Sequence, residues 1–103
     1  MDEKHVEQAL TRAVKNLGGL CLKFTSPGLA GVPDRLILLP GGCIAFAELK
    51  APGKKPRPIQ RVRKNQIENL GVPVHIIDHP NHIHEVLHEI QTTQLPTRSN
   101  NLH

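Results

Sequence analysis

The sequence predicts a single α/β domain with a mixed β-sheet of about four strands flanked by helices. Three observations carry that expectation. The segments follow the order helix, strand, strand, strand, helix, strand, helix. The stretch Arg35 to Lys50 reads as two apolar strands joined by Pro40-Gly41-Gly42, hence an antiparallel hairpin. The step from that hairpin through a helix to the strand at Val72 is long enough for a parallel crossover.

From Lys4 to Leu17, Val6, Ala9, Leu10, Ala13, Val14 and Leu17 recur at helical spacing. Asp2 suits the N-cap, and Gly18-Gly19 suits the stop. Leu20 to Phe24 reads as a short strand. Thr25 to Pro33 carries Pro27, Gly28, Gly31 and Pro33 and reads as a loop. RLILL, Arg35 to Leu39, is a buried strand, and CIAFAELK, Cys43 to Lys50, is its partner. Ala51 to Pro58 is a basic loop rich in breakers. Ile59 to Leu70 reads as a helix with Ile59, Val62, Gln66, Ile67 and Leu70 on one side. Val72 to Ile77 is a strand whose Pro73 belongs at its start or at a sheet edge. A last helix runs from about His82 to Ile90. Residues 1–91 are expected to form the domain, and 92–103 a frayed tail.

At 103 residues the chain fits one domain with a thin core, a size at which dimerisation helps. The net charge of +4 suits a polyanionic partner. Only Phe24 and Phe46 are aromatic, which argues against a single-strand binder that stacks bases. Cys21 and Cys43 lie in apolar runs and read as free thiols of a reducing compartment. The charged start MDEKHVEQ is unlike a signal peptide, and no apolar run approaches the roughly 20 residues of a membrane span. A cytoplasmic protein with no membrane partner is expected.

The chemistry concentrates at the ends of the hairpin. Asp34 opens one strand, and Glu48-Leu49-Lys50 closes the next. In an antiparallel pair these ends are neighbours, so Asp34 and Glu48 are expected side by side. Glu48 and Lys50 share a face, with Leu49 directed into the opposite layer. Clustered carboxylates need compensation, and Mg²⁺ accepts one or two of them while keeping its waters. Such a centre polarises a phosphoryl oxygen and acidifies water. Lys50 either orients the attacking water or stabilises charge on phosphorus. Taken singly, Asp34 is often only a turn residue, and Glu48 with Lys50 only a surface ion pair.

GVPDRLILLPGGCIAFAELKAPGKKPRPIQ resembles the virus-type replication-repair nuclease (VRR-NUC) domain of the PD-(D/E)xK superfamily, whose core is restriction-endonuclease-like. The matching residues are Gly31-Val32-Pro33-Asp34, Pro40-Gly41-Gly42, Glu48-Leu49-Lys50, Pro52-Gly53 and Gln60. The resemblance implies a Mg²⁺- or Mn²⁺-dependent DNA endonuclease with Asp34, Glu48, Lys50 and Gln60 at its catalytic centre. Its metal ligands would be Glu7, Asp34, Glu48 and the backbone carbonyl of Leu49. Helix geometry alone places Glu3 as well as Glu7. The resemblance also implies a homodimer related to Holliday-junction resolvases, acting on branched or four-way DNA in repair or recombination. The family occurs in phages and bacteria.

The resemblance further implies that Lys23, with Phe24 and Ser26 before the Pro-Asp loop, contacts a phosphate. Lys54, Lys55, Arg57, Arg61, Arg63 and Lys64 form the densest positive segment and are expected to bind the DNA backbone. Without a recognition helix or zinc finger, shape is the expected basis of selectivity. A non-catalytic DNA-binding module is the alternative. A third reading is a zinc protease, because His84-Glu85-Val86-Leu87-His88 matches H-E-x-x-H. The third zinc ligand of the extended motif is missing, with Gln91 and Gln94 in its glycine and histidine positions, and seven histidines make a chance match easy.

Overall fold

The computed structural model describes residues 2–100, with side chains as far as residue 93. Helix α1 spans Glu3–Asn16. The Asp2 carboxylate accepts from the His5 backbone N–H, and the His5 ring accepts in turn from the Asp2 N–H. This reciprocal cap satisfies donors that the first turn leaves unpaired. Val6, Leu10 and Val14 form the buried stripe of α1.

Strands β1 (Leu20–Lys23), β2 (Arg35–Leu39), β3 (Cys43–Leu49) and β4 (Val74–Ile77) form one sheet in that order. β1 pairs antiparallel with β2, and β2 with β3, while β4 runs parallel to β3. The mixed topology is the one expected from the sequence. β4 begins two residues later than expected, because Pro73 offers only its carbonyl, which accepts from Phe46 N–H at 2.9 Å. Helix α2 (Pro58–Asn69) makes the crossover from β3 to β4.

A short 3-10 turn, Pro80–His82, leads into helix α3 (Ile83–Asn100). The sequence placed the end of this helix near Ile90. No breaker stands between Gln91 and Leu95, so the hydrogen-bonded ladder continues through them, and Pro96, which has no N–H to donate, comes only after. Residues 101–103 of the expected tail lie outside the described residues.

The core lies between one face of the sheet and helices α1 and α3. Cys43, Ala45, Ala47 and Leu49 alternate along β3 and are all buried. Ile37, Leu39 and Ile77 extend this layer, and Ile83, Leu87 and Ile90 meet it from α3. Each large side chain buried here contributes roughly 1.5–3 kcal/mol. Both cysteines are free, as expected.

Helix α2 packs differently from its sequence pattern. Ile59, Val62 and Leu70 are 38%, 51% and 84% exposed, and its one buried residue is Gln60. The helix is therefore anchored by polar contacts at its start. Gly31, at φ +83°, lies against that start: a Cβ there would stand 2.7 Å from the Ile59 carbonyl oxygen. Arg63 Nε donates to the Ala30 carbonyl at 2.8 Å and ties the same loop to the helix.

Gly31→Ala is expected to destabilise the protein by at least about 1 kcal/mol, from the left-handed backbone and the backbone clash together. Gly28→Ala, where a Cβ meets open space, is expected to change it by under about 0.5 kcal/mol. Urea denaturation of the two variants beside wild type checks the contrast.

Candidate active site

The hairpin register sets the site. Arg35 pairs with Ala47, so the next rung outward brings Asp34 beside Glu48. Asp34 Oδ2 accepts from the Leu49 backbone N–H at 3.0 Å. Its own backbone carbonyl accepts from Phe24 N–H at 2.7 Å, which joins the loop before it to β1. The aspartate is thus held from both flanking strands.

Glu48 is only 4% exposed, an unusual place for a carboxylate. Its Oε2 accepts from Gln60 Nε2 at 2.6 Å and lies 3.3 Å from Lys50 Nζ. The Gln60 amide is oriented by the Arg57 backbone N–H, which donates to Gln60 Oε1 at 2.8 Å. Oε1 of Glu48 is buried and has no hydrogen-bond partner among the described residues. Burial, followed by the charge of Asp34, raises the pKa of Glu48, against the opposing pull of Lys50 and Gln60.

The site therefore unites Asp34, Glu48, Lys50 and Gln60, four residues singled out from the sequence. Leu49 is buried in the opposite layer, as alternation predicts. Glu7 is not brought to this group. Its Oε2 is 2.7 Å from Nη2 of Arg35, whose side chain is 14% exposed. Arg35, the first residue of β2, follows Asp34, and its side chain turns to the α1 layer, where Glu7 resides. Sequence reasoning missed this arginine, although strand alternation from Asp34 was enough to direct it toward the first helix. Among the described residues no group of three or more histidine, cysteine, aspartate or glutamate side chains is arranged to hold a metal ion.

The basic residues divide into two sets. Lys23, Lys54, Lys55, Arg57 and Arg61 are exposed. Arg63 is committed to Ala30 and Gln66, and Lys64 Nζ lies 2.9 Å from Glu68. Ser26 is half-buried, and its carbonyl closes a turn with Leu29 N–H. His84, Glu85 and His88 are exposed on α3, and among the described residues no third ligand is arranged beside them. A cavity of about 550 Å³ between α2 and the sheet is lined chiefly by apolar groups, Phe24, Phe46, Val32, Ile67 and Leu70 among them. It lacks the acidic pair and is not the reactive site.

Because folding raises the Glu48 pKa, the folded protein binds that proton more tightly than the unfolded chain. The resulting stabilisation is full below the ordinary carboxylate pKa and is lost as pH rises through the raised value. Metal-free protein is expected to lose stability across that window, and Glu48→Gln to lose less. Urea denaturation from roughly pH 4 to 8 measures it, and parallel curves for the two proteins would contradict the assignment.

Comparison with known proteins agrees with this geometry. No protein-family model matches the sequence. A phage protein named "Putative nuclease p44", from Acyrthosiphon pisum secondary endosymbiont phage 1, is 46% identical over 76 residues. That match covers 74% of this chain and 82% of the relative. A solved structure described as a VRR_NUC domain superposes with a TM-score of 0.78 at 29% identity, covering 84% of this chain and 94% of the other. With its PD-(D/E)xK-type sheet, its paired Asp34 and Glu48 and these relatives, the chain belongs to the VRR-NUC domain family.

Proposed function

We propose that this protein is a divalent-metal-dependent, structure-selective DNA endonuclease that acts as a homodimer on branched or four-way DNA. The observation that carries the reading is the buried Glu48 with an unpartnered oxygen beside Asp34 and Lys50. An orphaned carboxylate oxygen next to a second carboxylate is costly in a bare protein and suits a hard cation. The family resemblance and the name of the phage relative point the same way.

Asp34, Glu48 and the backbone carbonyl of Leu49 would hold Mg²⁺ or Mn²⁺. When bound, the cation would polarise a phosphoryl oxygen and lower the pKa of a coordinated water. The chain's own groups supply the rest. Lys50 brings a fixed positive charge to the patch, to orient water or to stabilise charge on phosphorus. Gln60 holds the Glu48 carboxylate in place through its Nε2 donor. Glu7 Oε2 is paired with Arg35, which leaves its other carboxylate oxygen as the atom that would join the ligands. Lys23, Ser26 and the exposed cations of 54–61 are assigned to the DNA backbone, while Arg63 and Lys64 serve mainly to hold α2.

The dimer reading rests on the open face of the sheet. Leu20, Leu38 and Ile44 align in register across three strands, and Leu22 and Leu36 lie one turn of the pleat away. Leu20, Leu22 and Ile44 are 58%, 41% and 42% exposed. These rows carry no charge, so a second copy can approach without opposing like charges. No helix among the described residues is long and apolar enough to cross a membrane.

Four-way junction, flap and linear duplex DNA incubated with Mg²⁺ and with EDTA provide the test. Cutting of branched DNA in Mg²⁺ alone is expected, with Asp34→Ala, Glu48→Ala and Lys50→Ala each lowering the rate about 10²–10⁴-fold. Junction binding without incision would replace the nuclease by a non-catalytic DNA-binding module. Size-exclusion chromatography of wild type and Leu20→Lys tests the dimer, which the charged variant is expected to dissociate.

A further inference from the structure

A second polar group lies at the same end of the sheet, outside the acidic pair. The Lys50 backbone N–H donates to the Ile77 carbonyl at 3.0 Å, which brings the segment after β4 beside the catalytic strand. There Asp78, His79, Asn81 and His82 face Pro52 and Gly53 across a cavity of about 270 Å³. Lys54 and Lys55, both exposed, follow directly in that loop.

The two imidazoles stand close together on the cavity wall. Their ring centroids are 5.8 Å apart. His79 Nδ1 accepts from the Asn81 backbone N–H at 3.1 Å and caps the 3-10 turn. A neutral His79 therefore carries its proton on Nε2, and that N–H remains available to a ligand. His82 Nδ1 lies 3.4 Å from Asp78 Oδ1. A protonated His82 then donates from Nε2 as well. Asp78 brings the one negative charge to the cavity wall and offsets part of that positive charge.

We propose that His79 and His82 form a subsite for a phosphodiester of the DNA backbone, next to the one being cut. The occupant is an anion with several acceptor oxygens, which matches imidazole N–H donors on the cavity wall and the exposed lysines that follow in the adjoining loop. The site rests on the DNA-endonuclease reading for its ligand, but not on the cutting reaction. It adds a contact on the β4 side of the reactive centre, beside the loop that follows Lys50.

The test uses the full chain in EDTA, where DNA binds without being cut. His79→Asn keeps a side-chain acceptor for the cap of the turn while deleting the Nε2 donor. His82→Gln removes the second imidazole. The double variant is expected to bind a 20-base-pair duplex about tenfold more weakly than wild type, with an unchanged melting temperature. On duplex addition, the imidazole NMR signals of both histidines are expected to shift in the wild-type protein. Inorganic phosphate serves as a control: shifts at millimolar phosphate equal to those with duplex would reduce the site to free-anion binding and overturn the DNA assignment. Unchanged duplex affinity, or unmoved imidazole signals, would also overturn it. Where DNA is cut in Mg²⁺, the variants are expected to raise KM and leave kcat within about twofold. Weaker binding by the variants with no incision by wild type would retire the nuclease reading and leave this subsite standing.

Discussion

A carboxylate removed from water beside another carboxylate is the constraint on which this small protein turns. Ionised Glu48 loses most of its hydration and feels the charge of Asp34. The chain answers with one amide donor and one ammonium, both directed to the same oxygen. The other oxygen remains without a protein partner among the described residues. Hydrophobic packing alone would disfavour such an arrangement, and a more ordinary sheet would carry an apolar residue at this position. The unfavourable electrostatics are concentrated at one place, where a cation can relieve them.

The surrounding fold keeps that place rigid. Ala45 and Ala47 are small enough for α1 and α3 to close over β3, so the strand bearing Glu48 is held by the core on one face. On the other face, α2 contributes a polar anchor in place of an apolar stripe. Gly31 admits the Ile59 carbonyl, Arg63 ties the loop to the helix, and Gln60 is delivered to Glu48 with its amide orientation fixed by Arg57. Loop, helix start and strand end thus form one connected unit. The same unit explains why part of the positive charge is structural: Arg63 and Lys64 satisfy groups within the protein, while Lys54, Lys55, Arg57 and Arg61 stay open to a partner.

The placement of Glu7 shows how two networks meet at the site's border. Asp34 directly precedes β2 and Arg35 opens it, so the two serve opposite faces of the sheet. Asp34 turns toward Glu48, and Arg35 turns toward α1 and takes Glu7. A carboxylate paired at 2.7 Å with a largely buried guanidinium is strongly held. That bond takes one of the two carboxylate oxygens of Glu7.

Local pattern was sufficient for much of this molecule. The helical spacing of Val6, Leu10 and Val14, the β2–β3 hairpin and the alternation that separates Glu48 from Leu49 are all properties of neighbouring residues. Together with the turn between the strands, they placed Asp34 beside Glu48 before any coordinates were known. The apolar residues of α2 misled, because periodicity shows that a stripe exists and not whether anything covers it. The partner of Glu7, the Glu48 oxygen without a partner among the described residues, and the approach of His79 and His82 to the loop after Lys50 needed the tertiary structure. Each depends on groups far apart in the chain, whose meeting is decided by packing between layers and carries no signal in local spacing.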